Sequence, residues 1–513
     1  RMERNGDFFS VTDLVEDGDD RFVERIGLDP NGALYKMYDR MEDPANSVKK
    51  TRLEEGTDDL QAFINQLDNR LSSSQLRRNA YDHVDLPATI NHLVANQVLA
   101  VTDTGHKNYY LYRDTEGDGE WRPLPWDVDL SWGRRWNSRD RYFDDSLHTG
   151  LTIWANNPLF ELIYETPEFQ DMFVRRFETM RRLVLQSTSP SPQNDQLRAR
   201  IIEIESMVDP DSGSSDGDLD YSRWGSWGNG LNSNRASARI YEDWLPSHRN
   251  LIFNPGLVVV GRSIPSTQPS SPNVDITSVD YNPDSGTQEE EYVILRNRLG
   301  ISVDLSGWTL EGAMDFSFPP GTVLLPGNGS SSAGYRGLIH VAKDPAGFRN
   351  RSSGPTGGEF RFVVGPYKGQ LSARGETITL RNEHGDFIDE FSYAPDPTPA
   401  QRFLRVVEIH YHPSDPTEAE LGINPALDDT DFEFLELLNT GDAPLVLDGA
   451  SFIEGIDYTF PPSTTLDSGA RLILAKNPAA LALRHPSPGA PGRGPVCGPR
   501  ADRGERLQGV DAG

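Results

Sequence analysis

The sequence is short of cysteine, of positive charge and of long apolar runs. Its 513 residues include one cysteine, Cys497, which excludes an internal disulfide framework and any zinc site built on several cysteines. Acidic residues outnumber basic ones by 78 to 49, for a net charge of −29. That balance argues against a nucleic-acid partner, because phosphate contacts need clustered Lys and Arg. No run of about 18 apolar residues is present, so we expect no membrane span.

An initiating methionine is also missing, since the chain starts at Arg1. We therefore expect the natural start, with any signal peptide, to lie upstream. The length predicts about three domains. The 46 glycines and 37 prolines predict many turns.

Helical periodicity is concentrated before residue 255. Asp85-Leu86-Pro87 is typical of a helix start, and an apolar face follows to about Val101. A second helix is predicted from about Pro167 to Leu185, where apolar residues recur at steps of three and four. A third is predicted near Arg235 to Leu245. The Pro/Ser-rich residues 256–273 then indicate a linker.

Beyond the linker, short β-branched and aromatic runs alternate with turn residues, which is typical of all-β sandwiches. This part repeats itself at an offset of 142 residues. The matching pairs are Glu291 with Glu433, Asn297 with Asn439, Leu305 with Leu447, and Phe318 with Phe460. An earlier pair, Tyr281 with Tyr411, is offset by 130, which implies about twelve extra residues near Ala419–Asp431. We predict two tandem sandwiches, at 274–396 and 402–513.

The end of the second repeat differs from that of the first. In the first copy Gly365-Pro366 is followed by Arg374-Gly375-Glu376, which opens a strand. In the second copy Gly498-Pro499 is followed by Arg503-Gly504-Glu505 at a spacing four residues shorter, and the sequence soon stops. We therefore expect the second sandwich to be incomplete, with one edge strand missing and a frayed tail.

The densest group of polar residues lies between positions 101 and 133. Two predicted strands, Tyr109–Tyr112 and Trp121–Leu130, flank a Gly/Asp-rich turn at 114–119. Such a hairpin would bring Asp103 and Asn108 close to Asp127 and Asp129. Three carboxylates and an amide suit a hard divalent cation such as Mg²⁺.

The spacing of Asp103 and Asn108 also matches the catalytic loop of kinases, where a hairpin delivers a further metal-binding Asp. In that chemistry the first Asp accepts or orients the hydroxyl proton, and the Asn and the later Asp hold Mg²⁺ on the ATP phosphates. The spacing alone is a weak signal, but the hairpin ending in Pro125–Asp129 makes it more specific.

Residues 4–255 resemble the CotH kinase family, a group of atypical kinase-like proteins first associated with spore coats. The resemblance rests on Asn91–Asn96, Asp103–Tyr112 and Leu124–Leu130 with Gly133, preceded by Asn5–Phe9, Leu14–Glu16 and Leu34–Lys36. It implies a kinase-like α+β domain that uses ATP and Mg²⁺. It also implies roles for particular residues: Asp103 as the catalytic Asp, Asn108 and Asp127 as metal ligands, Asp129 as a further candidate ligand, and Glu16 at the hinge near the adenine.

The sequence also departs from that family. Kinase-like folds place a phosphate-anchoring lysine on an early strand of the N-terminal lobe, and Lys36, Lys49 and Lys50 all follow the hinge-like segment. We therefore expect the N-terminal lobe to be truncated and this chain alone to be a poor catalyst. His106 and Lys107 could contact phosphate or could be surface loop residues, and the sequence leaves both open.

The two repeats resemble lamin-tail domains, which are immunoglobulin-like sandwiches often appended to secreted bacterial proteins. The matching residues are Asp304–Trp308, Phe318–Pro320 and Gly375–Leu380. The predicted fold class is thus multidomain, with a kinase-like α+β domain at 1–255 followed by two all-β sandwiches.

Three functions remain open on the sequence. The first is an ATP- and Mg²⁺-dependent kinase acting on Ser or Thr of a secreted or cell-surface protein, with the sandwiches as spacers or docking modules. The second is a non-catalytic surface scaffold, and the third is transfer of AMP or an amino acid on the same fold. The sequence does not indicate the oligomeric state.

Two further patterns have ordinary explanations that we favour. The turn Asp114–Glu120 could bind calcium, but it does not fill a twelve-residue calcium loop. His410 and His412 could bind a metal from one strand face, but no third ligand is evident in the sequence.

Overall fold

The structure is a computed structural model. It describes residues 1–132, 157–210, 215–226, 230–327, 337–394, 397–448, 450–452, 456, 458–485 and 496–497. The chain divides into two compact units. The first comprises residues 1–371 and 377–392, and the second comprises residues 372–376 and 393–513. The motif residue Gly133 lies outside the described residues.

The first part of unit 1 mixes helices with short strands. Its strands are β1 (Met2–Arg4), β2 (Asp7–Ser10), β3 (Ala33–Met37), β4 (Ser47–Lys49), β5 (Tyr109–Arg113), β6 (Trp121–Pro125), β7 (Val258–Val259) and β8 (Arg262–Ser263). Its helices are α1 (Asp20–Arg25), α2 (Asp58–Gln66), α3 (Ser73–His83), α4 (Leu86–Val98), α5 (Pro158–Glu165), α6 (Pro167–Leu185), α7 (Gln196–Val208), α8 (Asp216–Trp224), α9 (Ser233–Arg239) and α10 (Leu245–Ile252).

The predicted helices are confirmed. Asp85 caps α4 by accepting a hydrogen bond from the Ala88 backbone N–H at 2.8 Å, with Pro87 in the first turn, where its missing N–H costs nothing. Helix α6 occupies the predicted Pro167–Leu185 and buries its apolar stripe. The third predicted helix is longer than expected, because α9 runs through a π-helical turn at Ile240–Trp244 into α10.

The central sheet of this region has the strand order β4-β3-β5-β6, and all its pairs are antiparallel. Lys36 of β3 lies opposite Tyr110 of β5, which lies opposite Leu124 of β6. On that face Leu34, Tyr110 and Tyr112 pack against Val23. On the other face Tyr109 packs against Phe160 of α5, with ring centroids 5.2 Å apart. The sheet thus separates a helical core from a second, smaller cluster.

One boundary differs from the sequence prediction. The second hairpin strand was expected to reach Leu130, but β6 ends at Pro125. Asp127 has a left-handed backbone with φ of 54°, which no strand residue adopts. Asp127 and Asp129 therefore lie in a loop beyond the sheet.

The rest of unit 1 is a β-sandwich. Its elements are β9 (Val274–Asp280), β10 (Tyr292–Asn297), β11 (Val303–Asp304), β12 (Thr309–Gly312), β13 (Met314–Ser317), β14 (Val323–Leu324), β15 (Leu338–Ala342), α11 (Pro345–Arg349), β16 (Val363–Val364), β17 (Lys368–Gly369), β18 (Glu376–Arg381) and β19 (Phe387–Tyr393). The two main sheets have the orders β16-β15-β10-β9 and β17-β13-β12-β18-β19. We call this the first sandwich.

Unit 2 repeats the first part of that pattern. It contains α12 (Pro399–Phe403), β20 (Leu404–His410), α13 (Glu418–Ile423), β21 (Phe434–Asn439), β22 (Leu445–Val446), β23 (Ser451–Phe452), β24 (Tyr458–Thr459), β25 (Thr465–Leu466), β26 (Arg471–Ala475), α14 (Pro478–Arg484) and β27 (Val496–Cys497). One sheet has the order β20-β21-β26-β27. Helix α13 occupies the segment where extra residues were predicted.

The repeat extends to individual hydrogen bonds. The buried Asn297 side chain donates to the backbone oxygens of Ile301 at 2.7 Å and Leu325 at 2.9 Å. Asn439 makes the matching bonds to Ala443 and Leu466, both at 2.9 Å. Each Asn satisfies carbonyls that lie inside the fold, which explains why both copies carry it. The expected loss of an edge strand concerns residues 486–513, of which the structure describes only 496–497.

Candidate functional site

Two loop segments lie side by side at one end of the β5–β6 hairpin. The Thr102 N–H donates to the Leu130 oxygen at 2.8 Å, and the Trp132 N–H donates to the Leu99 oxygen at 3.0 Å. The hairpin closes the other side, with Tyr109 paired to Pro125. This pairing places Asp103 beside the segment that carries Asp127 and Asp129.

Asn108 closes the loop that begins at Asp103. Its Nδ2 donates to the backbone oxygen of Asp103 at 2.7 Å, and its own backbone is left-handed, with φ of 64°. Asparagine is one of the few residues that tolerate this conformation. The hydrogen bond fixes the amide plane. The Oδ1 atom is then the one that can coordinate a cation or accept a further hydrogen bond.

The carboxylates act on one another electrostatically. The pKa of Asp127 is raised above its ordinary value by partial desolvation, by the charge and hydrogen bond of Asp129, and by the charge of Asp103. Lys36 opposes these effects. Asp103 also forms an ion pair with Lys107, with Nζ 3.3 Å from Oδ2. Asp127 and Asp129 are exposed, so a ligand from solvent can reach both.

Lys36 was set aside on the sequence because it follows the hinge-like segment. The structure places it on the central strand β3, with Nζ 4.1 Å from the centre of the Trp126 ring. Its charge acts on Asp127. The pKa of Asp17 is lowered mainly by the hydrogen bond and charge of Lys50, to which Lys36 adds a smaller effect. The alternation of Leu34 and Lys36 along a strand was the available signal, since residues two apart share one face of a sheet.

The hinge-like segment, which contains Glu16, Asp17 and Gly18, covers the same face of the sheet as Lys36 and Tyr110. A Cβ atom built on Gly18 would lie 2.4 Å from the Tyr110 ring, so only glycine allows this approach. Asp17 beside it pairs with Lys50 at 2.9 Å. The Glu16 carboxylate is bound by Arg25, whose Nε lies 3.0 Å from Oε1. The segment is therefore near the site, but the Glu16 side chain is engaged elsewhere.

Asn157 binds the Asp103–Asn108 loop through its side chain. No sequence argument identified this residue. Its fully buried side chain donates to the Gly105 oxygen at 2.5 Å and to the Tyr109 hydroxyl at 3.0 Å. Its Oδ1 accepts from the Phe160 N–H at 3.2 Å, so the same side chain caps α5. The Asn-Pro pair at a helix start was visible in the sequence, but the contact with the loop was not.

Oxygen ligands dominate the site, but the carboxylates alone do not form a metal cluster. Within the residues that the structure describes, no group of three or more His, Cys, Asp or Glu side chains is arranged to hold a metal ion. A cation here would need the Asn108 amide and ligands from a bound nucleotide beside the carboxylates. Whether Asn108, Asp127 and Asp129 bind metal stays a prediction.

The acidic side chains of the turn between β5 and β6 accept hydrogen bonds from backbone N–H groups of the same turn. The Asp114 Oδ1 accepts from the Gly117 N–H at 3.1 Å, and the Asp118 Oδ1 accepts from the Glu120 N–H at 2.8 Å. Both carboxylates thus serve the turn, as Asp side chains commonly do.

Comparisons with known proteins identify two regions of the chain. Residues 4–225 match the family model described as CotH kinase protein. Residues 267–395 match the model of the Lamin Tail Domain. No curated protein matches the chain. No helix among the described residues is long and apolar enough to cross a bilayer.

Proposed function

Since the chain joins a CotH kinase region to a lamin tail domain, we propose that it is an ATP- and Mg²⁺-dependent phosphotransferase acting on Ser or Thr of a protein. One observation carries the proposal: the loop from Asp103 to Asn108 lies beside the loop that carries Asp127 and Asp129, at the end of the hairpin. Phosphoryl transfer needs carboxylate and amide oxygens placed together in this way, because they hold the cation that binds the phosphates.

The residues present fit a magnesium ion. Mg²⁺ prefers oxygen ligands and is commonly held by one or two carboxylates together with substrate phosphates. The Oδ1 of Asn108 and the Asp127 carboxylate would hold it, with Asp129 as a further ligand. When bound, the cation neutralises charge on the transferred phosphoryl group. Mutual repulsion among the three carboxylates favours such a cation.

Asp103 would accept or orient the proton of the acceptor hydroxyl. Its ion pair with Lys107 at 3.3 Å holds the carboxylate at the mouth of the site. Lys107 would then contact phosphate from the same loop, and Lys36 would add a second cation from the sheet. The adenine base would lie beside Glu16, in the segment that covers Tyr110.

The acceptor is proposed to be a protein at the cell surface or outside the cell. Immunoglobulin-like sandwiches are compatible with that location, and the net charge of −29 keeps an exposed chain soluble. The same charge makes a nucleic-acid acceptor a poor candidate.

The test is transfer of labelled phosphate from ATP with Mg²⁺, with autophosphorylation and an added acceptor protein as readouts. Because this chain alone is expected to be a poor catalyst, we expect slow incorporation from γ-labelled ATP, and we expect Asp103→Asn and Asp127→Asn to abolish it. Asp58→Asn is the matched control, because Asp58 is exposed in the first turn of α2. Incorporation from α-labelled ATP would instead indicate AMP transfer. No incorporation from either label would favour a non-catalytic scaffold and contradict the proposal.

A further inference from the structure

The first sandwich contacts the kinase-like region through a buried arginine at the end of α11. The Arg349 guanidinium donates a hydrogen bond to the Glu120 carboxyl group, and both side chains are about nine-tenths buried. Arg349 also approaches the backbone oxygens of Asp118 at 3.4 Å and Tyr81 at 3.5 Å. Glu120 directly precedes β6, so this pair fixes the start of the strand that leads to Asp127.

A second buried arginine joins the two regions from the opposite direction. Arg176 of α6 pairs with Asp304 of the first sandwich, with Nη1 3.1 Å from Oδ2 and less than a tenth of either side chain exposed. The same guanidinium donates to Asn91 Oδ1 of α4 at 2.8 and 3.0 Å. One side chain therefore ties α6, α4 and the sandwich together.

The turn at Gly321 is packed directly on the start of α4. Its φ is +94°, and a Cβ atom there would lie 2.1 Å from the Pro87 oxygen. A side chain at this position would push the turn off the helix. Asp82, at the end of α3, accepts from the Gly358 N–H of the sandwich at 2.9 Å.

The segment predicted to be a linker is also bound. Arg175 of α6 donates to the Ser266 oxygen at 2.8 Å, and Thr267 donates to Glu178 at 3.2 Å. Gln268 exchanges two hydrogen bonds with the Asp304 backbone, at 2.8 and 3.1 Å. A flexible spacer would not make these contacts, so residues 266–268 belong to the interface.

The second repeat shows which of these residues serve the fold and which serve the contact. Both copies keep the Asn, Leu and Phe residues that hold the sandwich together, at the offset of 142. At the same offset, Asp304 is replaced by Val446 and Gly321 by Ser463. Helices α11 and α14 both begin with Pro, 133 residues apart, and at that offset Ala482 replaces Arg349. The first copy alone carries the contact residues.

We propose that the first sandwich is a permanent structural part of the kinase-like region, and that it holds α4 and the β5–β6 hairpin in the positions that present Asp103 and Asp127. Helix α4 ends five residues before Asp103, and β6 ends two residues before Asp127. Both elements that lead into the site residues are thus bound by the sandwich at their far ends. The second sandwich lacks the matching residues and is not built for this surface.

Hydrogen–deuterium exchange of the full chain tests the proposal. Arg349→Ala should speed exchange in peptides covering residues 81–125, which lie outside the sandwich. Arg381→Ala is the matched control, because it removes an ion pair with Glu311 that lies within the sandwich, at 2.9 Å. Asp304→Asn, a milder change, should speed exchange in α4 and α6 even if Arg349→Ala fails to fold.

Thermal unfolding supplies the second readout. If the sandwich is part of the region, unit 1 (residues 1–371 and 377–392) unfolds in one transition, and Asp304→Asn lowers that midpoint by several degrees. Faster exchange confined to sandwich peptides in both variants, or separate transitions for the sandwich and the kinase-like region, would overturn the proposal.

Discussion

Replacing Asn157 is the sharpest test of how the Asp103–Asn108 loop is held. Leucine has a similar size but makes none of the three hydrogen bonds of Asn157. The buried Gly105 carbonyl and Tyr109 hydroxyl would each lose a partner, at about 1–3 kcal/mol apiece. Loss of the α5 cap adds about 1 kcal/mol. We expect Asn157→Leu to lower the free energy of unfolding by about 3–7 kcal/mol.

Urea unfolding followed by tryptophan fluorescence measures that loss. Asn232→Leu is the matched control, because Asn232 caps α9 through the Arg235 N–H and has no hydrogen bond to the loop. It should cost only about 1 kcal/mol. Asn157→Asp keeps the cap acceptor but cannot donate to Gly105, so it should speed amide exchange in residues 103–109 more than in α5. Equal losses for Asn157→Leu and Asn232→Leu would refute the reasoning.

The remaining predictions concern pH, charge and backbone shape. Burial raises the pKa of Glu120 to about 8, with Arg349 opposing the shift. The native state therefore holds this proton more tightly than the unfolded state does. The contribution of Glu120 to stability should fall as pH rises from about 4.5 through about 8. Glu120→Gln should remove that component from thermal midpoints measured between pH 5 and 9, and an unchanged slope would contradict it. Lys36→Met should weaken Mg²⁺-ATP binding about tenfold in a titration, which corresponds to a loss of roughly 1.4 kcal/mol. Lys36→Arg should keep most of the wild-type affinity. An unchanged affinity in Lys36→Met would count against the role of Lys36. Gly18→Ala should disturb the segment over Tyr110 and lower the thermal midpoint, because the added Cβ would meet the Tyr110 ring at 2.4 Å. Gly56→Ala is the control, since a Cβ there would meet only Asp58 Oδ2 at 3.9 Å. Equal shifts in the two variants would show that the approach to Tyr110 does not matter.

Local patterns predicted much of the fold. Helices α4 and α6 begin at the predicted residues because Asp85, Pro87 and Pro167 are start signals that act within one turn. The tandem sandwiches followed from the 142-residue offset, which carries pairs such as Asn297 and Asn439 into matching positions. Both kinds of signal depend on short stretches of chain, so they can be identified in a sequence.

Long-range contacts account for what the sequence did not predict. Lys36 and Asn157 reach the site across 91 and 49 residues of chain, measured to Asp127 and Asn108, and neither contact leaves a local pattern. The end of β6 was wrong because Asp127 adopts a left-handed backbone. The Pro/Ser-rich segment was predicted to be a linker because composition does not show that Ser266 and its neighbours bind α6.

The central claim, that Asp127 and its neighbours hold a cation with a nucleotide, is tested most directly by thermal shift. A ligand that binds only the native state raises its midpoint. We predict that Mg²⁺-ATP raises the unfolding midpoint of unit 1 in the wild type and in Asp58→Asn, and that Asp127→Asn abolishes the shift. An equal shift in Asp127→Asn, or no shift in the wild type at saturating Mg²⁺-ATP, would contradict the account.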